Sequence, residues 1–132
     1  MLLVDTNVLV DVLQNDPQWA DWSISQMRAQ ASLHALVINP IIYAEVSLSF
    51  STLEALDDVV GKLALELREI PRPALFLAAK AYSQYRRRGG SKLQVLPDFF
   101  IGAHAAVEGW PLLTRDDSRF TTYFPTLEVL AP

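Results

Sequence analysis

Leu2-Leu3-Val4-Asp5-Thr6-Asn7-Val8-Leu9 is the stretch on which the reading of this chain turns. Three consecutive apolar residues without alternation fit a strand buried on both faces, and the run stops abruptly at an acid. Beyond Asp5 the spacing changes: Val8, Leu9, Val12 and Leu13 fall on one face of a helix. Strand passes to helix at a carboxylate.

The same alternation continues to the end of the chain. Asp16-Pro17 has the signature of a helix start, an acid at the cap and proline in the first turn, and the helix it predicts carries Trp19, Trp22 and Met27 towards Ala31. His34 to Ile38 is the next apolar run, closed by a second cap-and-proline pair, Asn39-Pro40, which launches a helix from about Ile41 to Phe50. Thr52 caps a helix expected to reach Leu67, and a short strand is expected near Arg68 to Ile70. Pro71 and Pro73 restart helix as far as Arg88, where Gly89-Gly90 ends it. After a polar link, Pro97 begins a helix over Asp98 to Glu108, stopped by Gly109. Pro111 to Thr114 reads as strand, Asp117 to Tyr123 as a helical turn, and Leu127 to Leu130 as a last strand. No repeat, linker or low-complexity tract interrupts this order, so 132 residues with 51% hydrophobic content are expected to form one domain, residues 1–132, of the α/β class. Strands alternating with helices imply a central parallel sheet with helices on both faces, and such sheets carry their sites at the strands' carboxyl ends.

Composition narrows the chemistry. With no cysteine and only two histidines, thiol nucleophiles, disulfides and zinc-thiolate sites are excluded, and any metal must be held by carboxylates, which favours hard ions such as Mg²⁺ or Mn²⁺. A net charge of −4 runs against a nucleic-acid binder, unless several acids share one site whose bound cation reverses the local sign. Asp5, Asp11, Asn39, Pro40 and Glu45 interrupt the greasiest stretches before any reaches the roughly 18 to 20 residues of a membrane span. Met1 to Val4 has no basic region of a signal peptide, and a cytoplasmic location is the default expectation.

Four acids stand where such a sheet would place chemistry. Asp5 directly follows the first strand, although an acid there also serves as a helix cap. Asp116 stands two residues past the strand Pro111 to Thr114, with Asp117 competing for both its functional and its capping role. Glu45 has Ile41, Ile42, Leu48 and Ser49 at helical spacing, a mostly apolar face on which a carboxylate needs compensation or an edge position that reaches water. Asp98 sits in a helix's first turn, where the dipole favours an acid, yet Phe99, Phe100 and Ile101 follow at once and suggest a buried mouth. Brought together, four carboxylates repel, and a divalent cation relieves that repulsion; it also activates water and polarises a phosphodiester. Thr6, Asn7 and Thr114 are candidates to orient these ligands, or ordinary turn residues. Arg86, Arg87, Arg88, Lys92, Arg115 and Arg119 are the available cations for an RNA backbone, although Arg86 to Arg88 also suit a solvated helix end. His34 and His104 lack partners at metal-ligand spacing and read as structural.

These stretches resemble the motifs of PIN-domain ribonucleases, especially VapC-like toxins of toxin-antitoxin pairs. Asp5-Thr6-Asn7-Val8-Leu9 resembles the family's opening segment, and Asn39-Pro40 through Tyr43-Ala44-Glu45-Val46 its glutamate helix. Leu96 to Ala105, with Asp98, resembles the third acidic motif, and Leu113-Thr114-Arg115-Asp116 the fourth. The resemblance implies a PIN-like three-layer sandwich, RNA cleavage, and one or two Mg²⁺ or Mn²⁺ ions held by Asp5, Glu45, Asp98 and Asp116, with Thr6, Asn7 and Thr114 in support. It further implies homodimers and an antitoxin that covers the site, for which Leu9, Leu13, Trp19, Trp22, Leu53 and Leu56 are the candidate apolar surface, unless the tryptophans are simply core. The doubled Asp116-Asp117 departs from the pattern. Two rival readings remain: a catalytically silent PIN-like module that binds RNA or protein, and a phosphotransfer enzyme using Asp5. The latter wants an acid two residues on, where Asn7 stands, and a lysine near a strand end, where none is evident.

Overall fold

Leu2–Val4 forms β1, and all three side chains are fully excluded from solvent. Successive residues of a strand point to opposite faces, so burial of all three means that helices cover both sides of the sheet. The structure, a computed structural model, describes residues 1–132. Its order is β1, α1 (Thr6–Leu13), α2 (Ala20–Ala31), β2 (Leu36–Ile38), α3 (Pro40–Ser47), α4 (Leu53–Lys62), β3 (Glu66–Leu67), α5 (Arg72–Arg87), a 3₁₀ turn (Leu93–Val95), α6 (Leu96–Glu108), β4 (Leu112–Leu113), α7 (Ser118–Tyr123) and β5 (Val129–Leu130).

The five strands make one all-parallel sheet in the order β3-β2-β1-β4-β5. β1 is its centre, pairing Leu3 with Val37 of β2 on one side and with Leu112 of β4 on the other. The chain winds outward from β1 through β2 to β3, then crosses back to build β4 and β5 on the opposite side. Strand order therefore reverses between β1 and β4, and the crevice at their carboxyl ends is where doubly wound sheets place ligands. Asp5 and Thr114 are the first residues past those two ends.

The capping signals act as expected in most places. Asn39 Oδ1 accepts from the Ile42 amide with Pro40 in the first turn of α3, and Thr52 Oγ1 accepts from Ala55 at the start of α4. Gly109 ends α6 in the left-handed region at φ 70°.

Three expectations need correction. Asp16-Pro17 does not begin α2: Asp16 Oδ1 accepts from the amides of both Gln18 and Trp19, closing a turn first, and the helix starts at Ala20. The helix from Thr52 stops at Lys62 rather than Leu67, because Ala64 adopts φ 54° and the Leu65 amide reaches back to Val60. This frees Glu66–Leu67 to pair with Val37 and Ile38, so the third strand forms ahead of the Arg68 to Ile70 position. The polar link before Pro97 contains the 3₁₀ turn.

α6 crosses close to the chain's last helix. A Cβ added at Gly102 would sit 2.5 Å from the Phe124 ring and 3.0 Å from Phe120, both in the core. Rings held by packing cannot retreat as a flexible side-chain tip does. Gly102→Ala is expected to cost about 1 to 3 kcal/mol, read as a lower urea midpoint at unchanged slope.

Candidate active site

Asp5 is buried, at 4% exposure, and its carboxylate is held on both oxygens. Oδ1 accepts from the Thr6 amide at 2.7 Å, the capping bond of α1, and Oδ2 accepts from Thr114 Oγ1 at 2.7 Å, across the β1–β4 crevice. One side chain thus caps α1 and bridges the crevice. Thr6 Oγ1 donates to Glu45 Oε1 at 2.6 Å, tying α3 to the start of α1. Asn7 bridges to the same loop: Nδ2 donates to Thr114 Oγ1 at 3.3 Å and Oδ1 accepts from the Arg115 amide at 3.1 Å. All three supporting polar residues named from sequence lie in this network.

Asp98, in the first turn of α6, receives Arg119 Nη1 at 2.6 Å. Asp116 Oδ1 accepts from the amide and hydroxyl of Ser118, at 3.2 and 3.0 Å, at the start of α7. The neighbouring Asp117 makes no side-chain cap bond.

The acids act on one another electrically. Burial pushes the Asp5 carboxyl up to about 7; the Thr114 bond works against this, and the charges of Asp98 and Glu45 add to it. Burial also raises Asp98, opposed by Arg119 and reinforced by Glu45 and Asp116. The four residues therefore share one field, with Asp116 rather than Asp117 among the charges that raise Asp98. As the side chains are turned, however, no three acidic or histidine groups stand close enough to clasp one ion. Each carboxylate faces a hydrogen-bond or ion-pair partner of its own. The donor set suits a divalent hard ion: carboxylate oxygens dominate, hydroxyls stand beside them, and a buried acid near 7 gains its charge cheaply once a cation is present.

Two of the cations expected at RNA are engaged in ion pairs. Arg115 donates Nε and Nη2 to Asp11 at 2.9 and 3.0 Å and stacks over Trp19, so its guanidinium ties the loop after β4 to α1 and α2. Asp11, 2% exposed and also accepting from Ser23 Oγ, is the residue that sequence reasoning passed over. Its helical neighbours Asn7, Val8, Gln14 and Asn15 are mostly polar, so spacing gave no sign that it would be buried. Arg119 is bound to Asp98. Arg86, Arg87, Arg88 and Lys92 are exposed, with Arg88 over the Tyr123 ring. Of the apolar residues proposed for a partner, Leu9 and Leu56 are buried, Leu13, Trp19 and Trp22 half-buried, and Leu53 exposed.

His104 is core, as its lack of ligand-spaced partners suggested. Asn39 spends Oδ1 on the cap of α3 and donates Nδ2 to His104 Nδ1 at 3.1 Å, so the ring proton sits on Nε2, which is buried without a partner. Burial holds the imidazole below its usual range. Since the unfolded chain takes up this proton near pH 6.5, His104's contribution to stability is full above that pH and declines as the pH falls below it. Ring-proton NMR is expected to show His104 keeping its neutral form to lower pH than an ordinary imidazole does.

A sequence model of the PIN domain matches residues 2–123. The chain belongs to the PIN-domain family. PIN domains are generally nucleases and generally use divalent metal ions. Among curated proteins no relative matches the sequence. Solved structures share the fold end to end at low identity. A chain of VapBC2 from Rickettsia felis, bound to a DNA fragment from its promoter, superposes with a TM-score of 0.76 at 18% identity, over 99% of this chain and 98% of that one. VapBC-1 of nontypeable Haemophilus influenzae gives 0.74 at 17%, over 98% and 96%. DNA-bound VapBC of Salmonella typhimurium gives 0.71 at 21%, over 99% and 98%. The α/β sandwich expected from alternation and motif is the fold found. No helix of this PIN domain is long and apolar enough to cross a membrane.

Proposed function

We propose that this PIN domain is a Mg²⁺-dependent endoribonuclease, with Mn²⁺ as an alternative ion, and the toxin of a type II toxin-antitoxin pair. The observation that carries the reading is Asp5 at the crevice where strand order reverses, its carboxyl lifted to about 7 by burial with the charges of Asp98 and Glu45 adding to it, while Asp116 acts in turn on Asp98. Such a cluster is costly without a cation and has an evident use with one.

Asp5, Glu45, Asp98 and Asp116 would hold one or two ions, after short rotations away from their present partners. The bound ion supplies Lewis acidity towards a phosphodiester oxygen and a lowered pKa for water. Thr114 and Thr6 hold Asp5 Oδ2 and Glu45 Oε1 in place. Glu45 Oε2 is left to accept the proton of the attacking water, the general-base role. Arg86, Arg87, Arg88 and Lys92 offer an RNA backbone positive charge outside the acidic centre.

The toxin reading draws on the neighbours, one of which, from Klebsiella pneumoniae, is named a toxin-antitoxin complex. It is supported here by exposed Leu53, which with Phe50 and Leu56 borders a groove between α3 and α4 where an antitoxin segment would pack. Exposed Leu75 and Phe76 on α5 support a homodimer. The site of action would be the cytoplasm.

The deciding experiment is RNA cleavage by the purified chain with Mg²⁺, with EDTA, and with folded Asp98→Ala. Cleavage that needs the metal and falls at least ~100-fold in the variant is the expected result. A folded, metal-supplied chain that cuts nothing in a cellular RNA pool would instead favour a silent RNA- or protein-binding module, the reading to which the present separation of the carboxylates lends support.

A further inference from the structure

Arg119 is the one cationic side chain in an ion pair with any of the four site acids; the other three ion pairs of the molecule are Lys62–Asp58, Arg68–Glu66 and Arg115–Asp11. Its Nη1 lies 2.6 Å from Asp98 Oδ2, and both side chains are about a third exposed, so the pair is reachable from solvent and neither partner is locked in the core. Arg119 has no other hydrogen-bond partner, in contrast to Arg115, which is forked onto a buried carboxylate. It rides on α7, a short helix of six residues, next to the loop that carries Asp116.

From this arrangement we infer that Arg119 is a built-in counter-ion of the site, which a divalent cation must displace from Asp98, and which then serves as a contact for the RNA phosphate. The inference rests on the nuclease reading. A guanidinium and a divalent ion cannot share one carboxylate oxygen without like-charge repulsion across a few ångströms, and in a half-buried crevice that repulsion is only partly screened. The divalent ion brings the larger charge and recruits the other carboxylates, which Arg119 alone does not bind. Once released, the guanidinium stands beside the metal-bearing crevice on a long flexible stem, with planar donors that match two phosphate oxygens. The pair therefore lowers the site's affinity for free metal while keeping an arginine ready for substrate.

The test is Mn²⁺ binding by titration calorimetry to wild type, Arg119→Gln and Arg119→Lys, with thermal unfolding as the control for fold. Arg119→Gln is expected to bind Mn²⁺ roughly tenfold more tightly, because a competing positive charge has gone, and Arg119→Lys to stay near wild type. The same Gln variant is expected to bind a short uncleavable RNA more weakly in the presence of Mn²⁺. Unchanged or weaker Mn²⁺ binding by folded Arg119→Gln overturns the inference and leaves the nuclease reading standing; no Mn²⁺ binding by wild type overturns both. A measurement on the wild-type chain removes dependence on the variants: nitrogen NMR of the Arg119 side chain during Mg²⁺ titration should pass from a slowly rotating, paired guanidinium to a free one. A guanidinium that stays paired while Mg²⁺ binds also overturns the inference.

Discussion

Asp5→Asn is expected to make the metal-free protein more stable and the nuclease inert. Folding drags this carboxyl from an ordinary 3.8 up to about 7, because it loses water and faces Asp98 and Glu45. A folded-state value above the unfolded one means that the associated stability is whole below about 4 and is lost as the pH climbs through 7. At pH 8 the penalty for the charged form amounts to roughly 4 kcal/mol before relaxation. Asparagine carries no charge, can accept from the Thr6 amide and can donate to Thr114 Oγ1, so a part of that penalty, about 1 to 3 kcal/mol, should be recovered. In EDTA at pH 8 the variant's melting temperature should rise by roughly 5 °C or more, and its melting temperature should lack the fall that wild type shows between pH 5 and 8. Added Mg²⁺ should raise wild type alone. RNA cleavage by the variant should fall by ~1000-fold or more, as expected when a charged ligand of an electrostatic site is neutralised. A variant that is destabilised at pH 8, or that cleaves like wild type, would show that Asp5 is a cap and nothing more.

Arg115→Ala should do the opposite to stability. Asp11 would keep its burial and its Ser23 bond but lose the forked guanidinium that neutralises it. Removing one partner of a buried pair leaves an uncompensated charge, a loss of about 3 kcal/mol or more, moderated because the arginine itself is 32% exposed. The effect should extend to catalysis: Arg115 lies between Thr114, which holds Asp5, and Asp116, and its amide is anchored by Asn7. Denaturant unfolding should show the stability loss, and the double variant Asp11→Asn with Arg115→Ala should regain part of it, since no buried charge is then left alone. If the single variant unfolds at the wild-type midpoint, the pair is ornamental.

The difference between Asp5 and Asp11 shows how far a sequence can be read. Asp5 was legible because an unalternating apolar run announced a central strand, and a parallel sheet puts its chemistry just past such a strand. Glu45 was legible as a charge on an apolar helical face. Asp11 lacks that signature, its helical neighbours Asn7, Gln14 and Asn15 being polar; its partner lies 104 positions away, and no local pattern predicts that an arginine expected at RNA will turn inward to meet it. The β3 position was missed for a related reason: periodicity favoured helix through Leu67, and only the Ala64 turn, with pairing to β2 as its reward, ends α4 early. The Arg119–Asp98 contact is likewise a product of packing α7 against α6, which spacing along the chain does not encode.

Asp5 is synthesised 109 residues ahead of Thr114, which fixes its carboxylate. β1 finds β2 early but must wait for β4 to complete its other edge, and Thr114 is itself held by a backbone bond to Leu130. Pairings this distant form late and slowly. On a growing chain the crevice between β1 and β4 therefore stays unformed until Thr114 and Leu130 have left the exit tunnel. Topology alone thus keeps the centre of this PIN domain open on the ribosome until strands from both halves of the sheet are present.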